Sequence, residues 1–272
     1  MAKPKVRPRK KRTYVLRPNR AVEFTWWLHT TLGTKTLVNQ VVGKHRVRPG
    51  DTIINYGVGQ KPIFDSRKVN WINPPDAVRA SANKLRTFQL LRELNLPEWT
   101  CSKDEVKEWT DDGSVVYART KLTGHSGEGI VIVDNSNESI PEAPLYTRRF
   151  IGGREYRVHV AFGDVIGIAQ KRKLTKEKLE ERDIKFNRLV RNSSNGWTFS
   201  ADNVVIPDNW NELGGQCIEA VSKLGLDFGA VDVVYSVRRK DFAILEVNSA
   251  PRISNTFTRD IYLRAFKERL AA

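Results

Sequence analysis

The stretch FGAVDVVYSVRRKDFAILEVNSAPRI, Phe228 to Ile253, decides the reading of this chain. AVDVVYSV and FAILEV are apolar and β-branched, and the charged run Arg238-Arg239-Lys240-Asp241 joins them, the pattern of two strands around a short polar connection. Glu246 and Asn248 are two residues apart and share a strand face. A three- or five-residue loop centred on Arg239 predicts Asp232 opposite Glu246 on that face. Two carboxylates and an amide among Val, Ile and Leu are costly to bury without a positive partner. A hard cation with oxygen ligands, such as Mg²⁺ sharing its shell with waters and phosphates, is the simplest such partner. The alternative is a half-solvated sheet on which both acids point outward.

The chain has 272 residues, 40% of them hydrophobic, enough for a large core or several small ones. Its 46 Lys and Arg against 31 Asp and Glu give a formal charge of +15. Lys3, Lys5, Arg7, Arg9, Lys10, Lys11 and Arg12 concentrate part of it in an N-terminal arm, interleaved with Pro4 and Pro8, where an extended, solvated segment is expected. The rest of the chain is also basic, and such a field favours polyanionic partners such as nucleotides, nucleic acid or an acidic protein. Cys101 and Cys217 make neither a disulfide framework nor a zinc site, which fits a reducing compartment, the cytoplasm. No apolar run reaches the ~20 residues of a membrane span, and no targeting segment is evident. The four histidines, His29, His45, His125 and His159, are too scattered for a triad or a zinc site.

Along the chain, residues 13–75 read as a small α/β unit. Its expected strands are Thr13–Leu16 and Thr52–Tyr56, its helix Glu23–Leu32, with Trp26 and Trp27 in the core and a break at Asn73-Pro74-Pro75. One helix is expected from Asp76 to about Asn95, closed by Pro97. Short strands at Val115–Ala118 and Gly129–Val133 flank a glycine-rich connection, and another strand runs from Leu145 to Ile151. A hairpin about Gly163-Asp164 follows, then a charged segment. A helix opens at Asp208, and a terminal helix spans Thr258–Leu270. The connection Thr123-Gly124-His125-Ser126-Gly127-Glu128-Gly129 permits positive φ and close approach of backbone N–H groups to an anion. It lies strand–loop–strand without Gly-Lys-Ser/Thr, so a Walker loop and a Rossmann turn fit poorly.

Lys84 on a helix, Arg119 on a strand, the glycine-rich hairpin, LYTRRFIGG, EYRVHV, Lys171-Arg172-Lys173, Arg191-Asn192 and the Asp/Glu/Asn set follow one another in order. This order resembles the ATP-grasp superfamily, and within it the carboxylate–amine ligases like the ribosomal-protein glutamate ligases. The resemblance covers roughly residues 70–255, and FGAVDVVYS…FAILEVNSAP is its most specific part. It implies an α+β ATP-grasp fold with four parts: the arm (1–12), a small α/β pre-ATP-grasp domain (13–75), a central lid (76–152) and a C-terminal metal-binding part (153–272).

The resemblance also implies a site. Asp232, Glu246 and Asn248 would bind Mg²⁺ or Mn²⁺ bridging ATP phosphates, under the hairpin of Gly124, His125, Ser126, Gly127 and Gly129. Arg149, Phe150 and Ile151 would meet the adenine edge, Glu155 the ribose, and Lys84 phosphate. Arg172 and Arg191 would face the transferred phosphoryl group. The family's lysine before the glycine loop is replaced by either Arg119 or Lys121, and its glycine after the Asn-x-x-Pro proline by Arg252, which suits a substrate carboxylate. The implied activity is ATP-dependent joining of a small-molecule or peptide carboxylate to an amine. A kinase acting on a hydroxyl, or a nucleic-acid-binding protein with a vestigial ATP site, are the alternatives.

Overall fold

The computed structural model describes residues 10–18, 23–38, 47–60, 68–123, 127–253 and 255–272. In it, β12 (Phe228–Ser236) and β13 (Asp241–Asn248) run antiparallel and pair Asp232 with Glu246. The loop length differs from expectation. Residues 237–240 form a four-residue connection, which alone would carry the pairing Val233–Ile244 on to Leu245 opposite Asp232. A bulge between Asp232 and Val233 takes up the extra residue, Leu245, and restores the Asp232–Glu246 pair. Packing requires it. Phe242 and Ile244 are buried in the core under the sheet, whereas Glu246 and Asn248 line a cleft on the opposite face. Strict alternation would put all four on one side.

This hairpin belongs to a five-stranded antiparallel sheet of order β11-β10-β9-β12-β13, where β9 is Arg154–Ala161, β10 Asp164–Lys173 and β11 Trp197–Ser200. Beneath it lies α6 (Trp210–Lys223), whose Leu213, Cys217 and Val221 pack with Val158, Val231 and Ile244. The helix opens at Trp210 rather than Asp208, whose carboxylate pairs with Lys240 at 3.3 Å. Ala77, Val78, Leu91 and Leu94 join the same core. Ala77 and Val78 lie on α2 (Pro75–Ala82), and Leu91 and Leu94 on the turn that follows α3 (Lys84–Leu90), so two helices stand where one was expected. Asn83 breaks the run: its backbone is extended (φ −95°, ψ 108°) and its side chain accepts from the Arg86 N–H at 3.0 Å. Asn competes for backbone groups in this way and favours caps over helix interiors.

The N-terminal unit is a parallel sheet of order β2-β1-β3-β4, comprising β1 (Thr13–Arg17), β2 (Lys35–Val38), β3 (Thr52–Asn55) and β4 (Asn70–Ile72). Helix α1 (Glu23–Thr31) crosses between β1 and β2. Its Phe24 and Leu28 are buried at i, i+4, which turns Trp26 outward to 63% exposure, while Trp27 is partly buried. The terminal helix α7 (Thr256–Ala271) binds this unit to the large sheet, since Val15, Phe24, Ile54 and Tyr56 share one core with Phe228, Tyr262 and Phe266. Asn73 fastens the same junction. Its Oδ1 accepts from the N–H groups of Asp227 (2.7 Å) and Phe228 (3.1 Å), and its Nδ2 donates to the Phe228 carbonyl (2.9 Å).

A third sheet, β5-β8-β6-β7, stands over the large one: β5 (Trp99–Thr100), β6 (Val116–Arg119), β7 (Ile130–Val133) and β8 (Leu145–Arg148), backed by α4 (Lys103–Asp111). Its small core is Val106, Val116, Ala118, Val133 and Tyr146. The segment between β10 and β11 carries α5 (Lys176–Glu181). Among the described residues no helix is long and apolar enough to cross a membrane. Both cysteines are free.

Candidate active site

A cleft of about 820 Å³ lies between the third sheet and the large one. One face of the large sheet forms its floor, and register decides which side chains stand there. Asp232 pairs with Glu246 on one side and Arg157 on the other, so the three stand in one row. The Arg157 guanidinium grips Asp232 through two 2.7 Å hydrogen bonds, Nε to Oδ1 and Nη2 to Oδ2, and lies 4.2 Å from the centre of the Phe199 ring. Burial alone would raise the Asp232 pKa, but Arg157 outweighs it and holds the carboxyl below its ordinary value. Asn248 donates from Nδ2 to Glu246 Oε1 at 3.1 Å, which leaves its amide oxygen to accept from elsewhere.

A second buried ion cluster stands one row away. Glu155 accepts from Lys171 Nζ at 2.6 Å and pairs with Arg191 Nη1 at 3.2 Å, and Lys171 also donates to the Arg191 carbonyl at 2.9 Å. Arg191 covers Trp197 at 4.9 Å. His159 lies deeper in the floor, its Nδ1 3.1 Å from the Tyr262 hydroxyl, which donates to the Gly229 carbonyl at 3.1 Å. Burial, aided by Arg157, lowers the His159 pKa to about 3, so the imidazole is neutral.

The roof and rim supply further cations. The break at Asn83 places Lys84 at the start of α3, facing the cleft, and its N–H donates to the Leu122 carbonyl at 3.0 Å. Burial lowers the pKa of both Lys84 and Arg119, with Glu246 opposing the shift in each. The Arg119 Nε is buried without a hydrogen-bond partner. A buried guanidinium N–H left unmade is costly, and a phosphate oxygen would satisfy it.

Of the residues implied by resemblance, Lys84, Arg119, Gly127, Arg149, Phe150, Glu155, Arg191, Asp232, Glu246, Asn248 and Arg252 line this one cleft. Others stand elsewhere. Lys121 does not line the cleft and pairs with exposed Glu128 at its rim, so Arg119 is the strand cation that faces it. Arg172 points to the opposite side of β10, where its Nη2 donates to the Asn203 carbonyl at 2.6 Å and the Asp202 carbonyl at 3.3 Å. The cause is a bulge between Val165 and Gly167, which shifts the phase of β10 and presents Lys171 instead. Ile151 is 70% exposed and off the cleft. Gly129 lies outside the lining; its φ of +74° turns the chain, and its carbonyl accepts the Thr120 N–H at 2.8 Å. Gly124, His125 and Ser126, most of the basic arm (1–9) and His45 lie outside the described residues.

Sequence reading missed Arg157, Lys171 and Phe199. Arg157 was within reach, because a buried Asp232 demanded a positive neighbour and EYRVHV supplied one at strand alternation. Among the described residues no group of three or more His, Cys, Asp and Glu is placed to hold a metal. A divalent ion would therefore take the Asp232 and Glu246 carboxylates with the Asn248 amide oxygen, and complete its shell with water and phosphate. The bidentate Arg157 contact leaves lone pairs on both Asp232 oxygens, so this donor set fits such an ion.

No family model and no curated protein sequence matches the chain. Solved structures do. The ATP-grasp ligase PsnB, complexed with a phosphomimetic variant of its minimal precursor, Mg and ADP, is 13% identical with a TM-score of 0.63, covering 96% of this chain and 99% of PsnB. The D-alanine–D-alanine ligase of Bacillus anthracis is 11% identical with the same TM-score, covering 96% and 99%. A RimK-domain ATP-grasp protein of Sphaerobacter thermophilus is 16% identical at a TM-score of 0.56, covering 93% and 98%. The chain shares the ATP-grasp fold of these structures.

Proposed function

We propose that this chain is an ATP-dependent ligase, using Mg²⁺ or Mn²⁺, that joins a carboxylate to an amine through an acyl-phosphate. One observation carries the reading. Asp232, Glu246 and Asn248 share a single cleft with Lys84 and with Arg119, whose buried Nε has no partner. Phosphoryl transfer needs positive charge arranged around the transferred oxygens, and positioning supplies most of the catalysis. Lys84 and Arg119 would hold phosphate oxygens, and Arg149 and Phe150 would border the base. A divalent ion held by Asp232, Glu246 and Asn248 would neutralise phosphate charge. The Arg157 pair keeps Asp232 ionised and aimed into the cleft.

In the first step a carboxylate oxygen of the acid bonds to the γ-phosphorus and the bond to the bridging β-oxygen breaks, releasing ADP. In the second the amine nitrogen attacks the acyl carbon, phosphate leaves, and the nitrogen loses its proton to water. The relatives' own substrates lend support: PsnB is complexed with a precursor peptide, and the Bacillus enzyme is a D-alanine–D-alanine ligase. Candidate acids and amines scored by ADP release, with product mass, test the reading. Hydroxylamine supplied in place of the amine should yield a hydroxamate; a stable phosphate ester would instead make the protein a kinase.

A further inference from the structure

Resting on that ligase reading, we infer that the His159 imidazole binds the amine substrate, its bare Nε2 accepting an N–H of the attacking nitrogen. The cleft-facing residues of β9 set out an axis. Arg149 and Phe150, which border the base position, come shortly before the strand. Glu155 follows, then Arg157 in the row of Asp232 and Glu246, then His159 in the next row with Ala230 and Asn248. Alternate residues stand about 7 Å apart along a strand. His159 is therefore one step past the metal row, on the side away from the base. A nucleotide laid along that axis delivers its transferred phosphoryl group, and so the acyl-phosphate, to this end.

Hydrogen bonding fixes the tautomer. Tyr262 has one hydroxyl proton and donates it to the Gly229 carbonyl, which has none to return. Burial raises the Tyr262 pKa, so the hydroxyl keeps that proton. The 3.1 Å contact between Nδ1 and the Tyr262 oxygen then requires the proton on Nδ1. In a neutral ring this leaves Nε2 with its lone pair. Tyr262 also meets the imidazole edge to face, 5.5 Å between centroids, which holds the ring's orientation. His159 lines the cleft, and among the described residues nothing donates to Nε2.

The lone pair selects its ligand. An ionised carboxylate or phosphate offers only acceptors and would meet Nε2 acceptor to acceptor. An amine donates, and its ammonium ion does so too, so the contact outlasts loss of the first proton. The neighbouring Arg157 charge is matched by Asp232 and does not drive a cationic amine away. With the imidazole pKa at about 3, Nε2 orients the nitrogen and leaves its proton to water.

Nitrogen NMR on the isotope-labelled full chain tests this, the His159 signals being assigned by their loss in the His159 variants. Nε2 should show the shift of an unprotonated ring nitrogen and Nδ1 that of a protonated one. With AMPPNP and Mg²⁺ bound, methylammonium should move the Nε2 signal; tetramethylammonium, which has no N–H, should not. In hydroxamate assays with an acid that supports ADP release, His159→Asn should raise the hydroxylamine KM about fivefold or more, the effect of one hydrogen bond, and hold AMPPNP affinity within about twofold. Asn reaches only the place of Nδ1, whereas the longer amide of His159→Gln can set an oxygen where Nε2 stood and should keep that KM nearer the parent's. A protonated Nε2, a signal that methylammonium does not move, or a KM that His159→Asn leaves unchanged or that both variants raise equally overturns the inference. So does a shift already complete with AMPPNP and Mg²⁺ alone, which would assign Nε2 to a metal-bound water. If AMPPNP does not bind the unaltered chain, or no acid supports ADP release, the ligase reading falls and takes this one with it.

Discussion

The floor and the roof of the cleft are built on opposite terms. On the floor, Arg157, Asp232, Glu155, Lys171 and Arg191 are largely buried, and each charge has a partner within 3.2 Å. The roof strands β6 and β7 are four residues long, Val131 is 41% exposed, and the Lys121–Glu128 pair is in solvent. Gly127 and Gly129 take positive φ there, and a Cβ on Gly127 would stand 3.1 Å from Val190 and Asn192 of the segment after β10. The floor places side-chain charges that pair with one another, whereas the roof adds to Arg119 a glycine turn that places backbone. A side chain announces its chemistry in sequence, and a backbone N–H does not.

The sharpest test of this contrast is Glu246→Gln. Under the ligase reading it should cut turnover by about a hundredfold or more, as loss of a preorganised charge does. The melting temperature should hold, because Glu246 is only half-buried and the Asn248 amide it accepts from can also donate to a Gln carbonyl. Asp232→Ala should instead unfold the floor, costing about 3–5 kcal/mol in urea denaturation by leaving Arg157 buried and uncompensated. Asp232→Leu combined with Arg157→Met should recover much of that loss. If Asp232→Ala is as stable as the parent, the floor is not held by its ion pairs.

Acid should expose the same design. The folded His159 pKa lies at about 3 against an ordinary 6.5, so between those values the unfolded chain binds the extra proton. Stability should therefore fall as pH drops through that window, and Asp232, whose folded pKa is also depressed, should add to the fall below its ordinary carboxylate value. His159→Phe should flatten the upper part of the curve; an unchanged slope would place the titrating group elsewhere. On the roof, Gly127→Ala should cost about 1–2 kcal/mol through its left-handed backbone and lower turnover. Lys121→Ala should be the mildest change, within about 0.5 kcal/mol, since exposed pairs contribute little. Turnover lost with Lys121 but kept in Arg119→Ala would reverse the assignment made from their positions.

Much of the floor was legible because burying Asp232, Glu246 and Asn248 among β-branched residues leaves few physical options. What escaped was register. The resemblance implied Arg172 at the cleft, and one extra residue near Ile166, which shifts the phase of β10, gives the place to Lys171. The helix break at Asn83 was masked by a continuous apolar stripe. The Arg157–Asp232 pair spans 75 positions and leaves no local trace. In the N-terminal unit, β2 (KTLV) and β4 (NWI) were missed, since neither carries the run of β-branched residues that marks β3.

The bulge at Leu245 divides β13 into two reading frames. Before it, even-numbered residues face the core; after it, they face the cleft. Leu245 is the punctuation between them, and its removal would join the frames without changing either message. A chain lacking Leu245 would have an unbroken strand with Phe242 and Ile244 inward and Glu246 and Asn248 still in the cleft. A chain lacking Ala243 would also lose the bulge and keep Phe242 inward with Glu246 and Asn248 in the cleft, but Ile244 would turn to the cleft and Leu245 would have to fill its place in the core. Two single-residue deletions, two positions apart, should thus differ in one packing choice: the first leaves Ile244 in the core, and the second asks Leu245 to replace it.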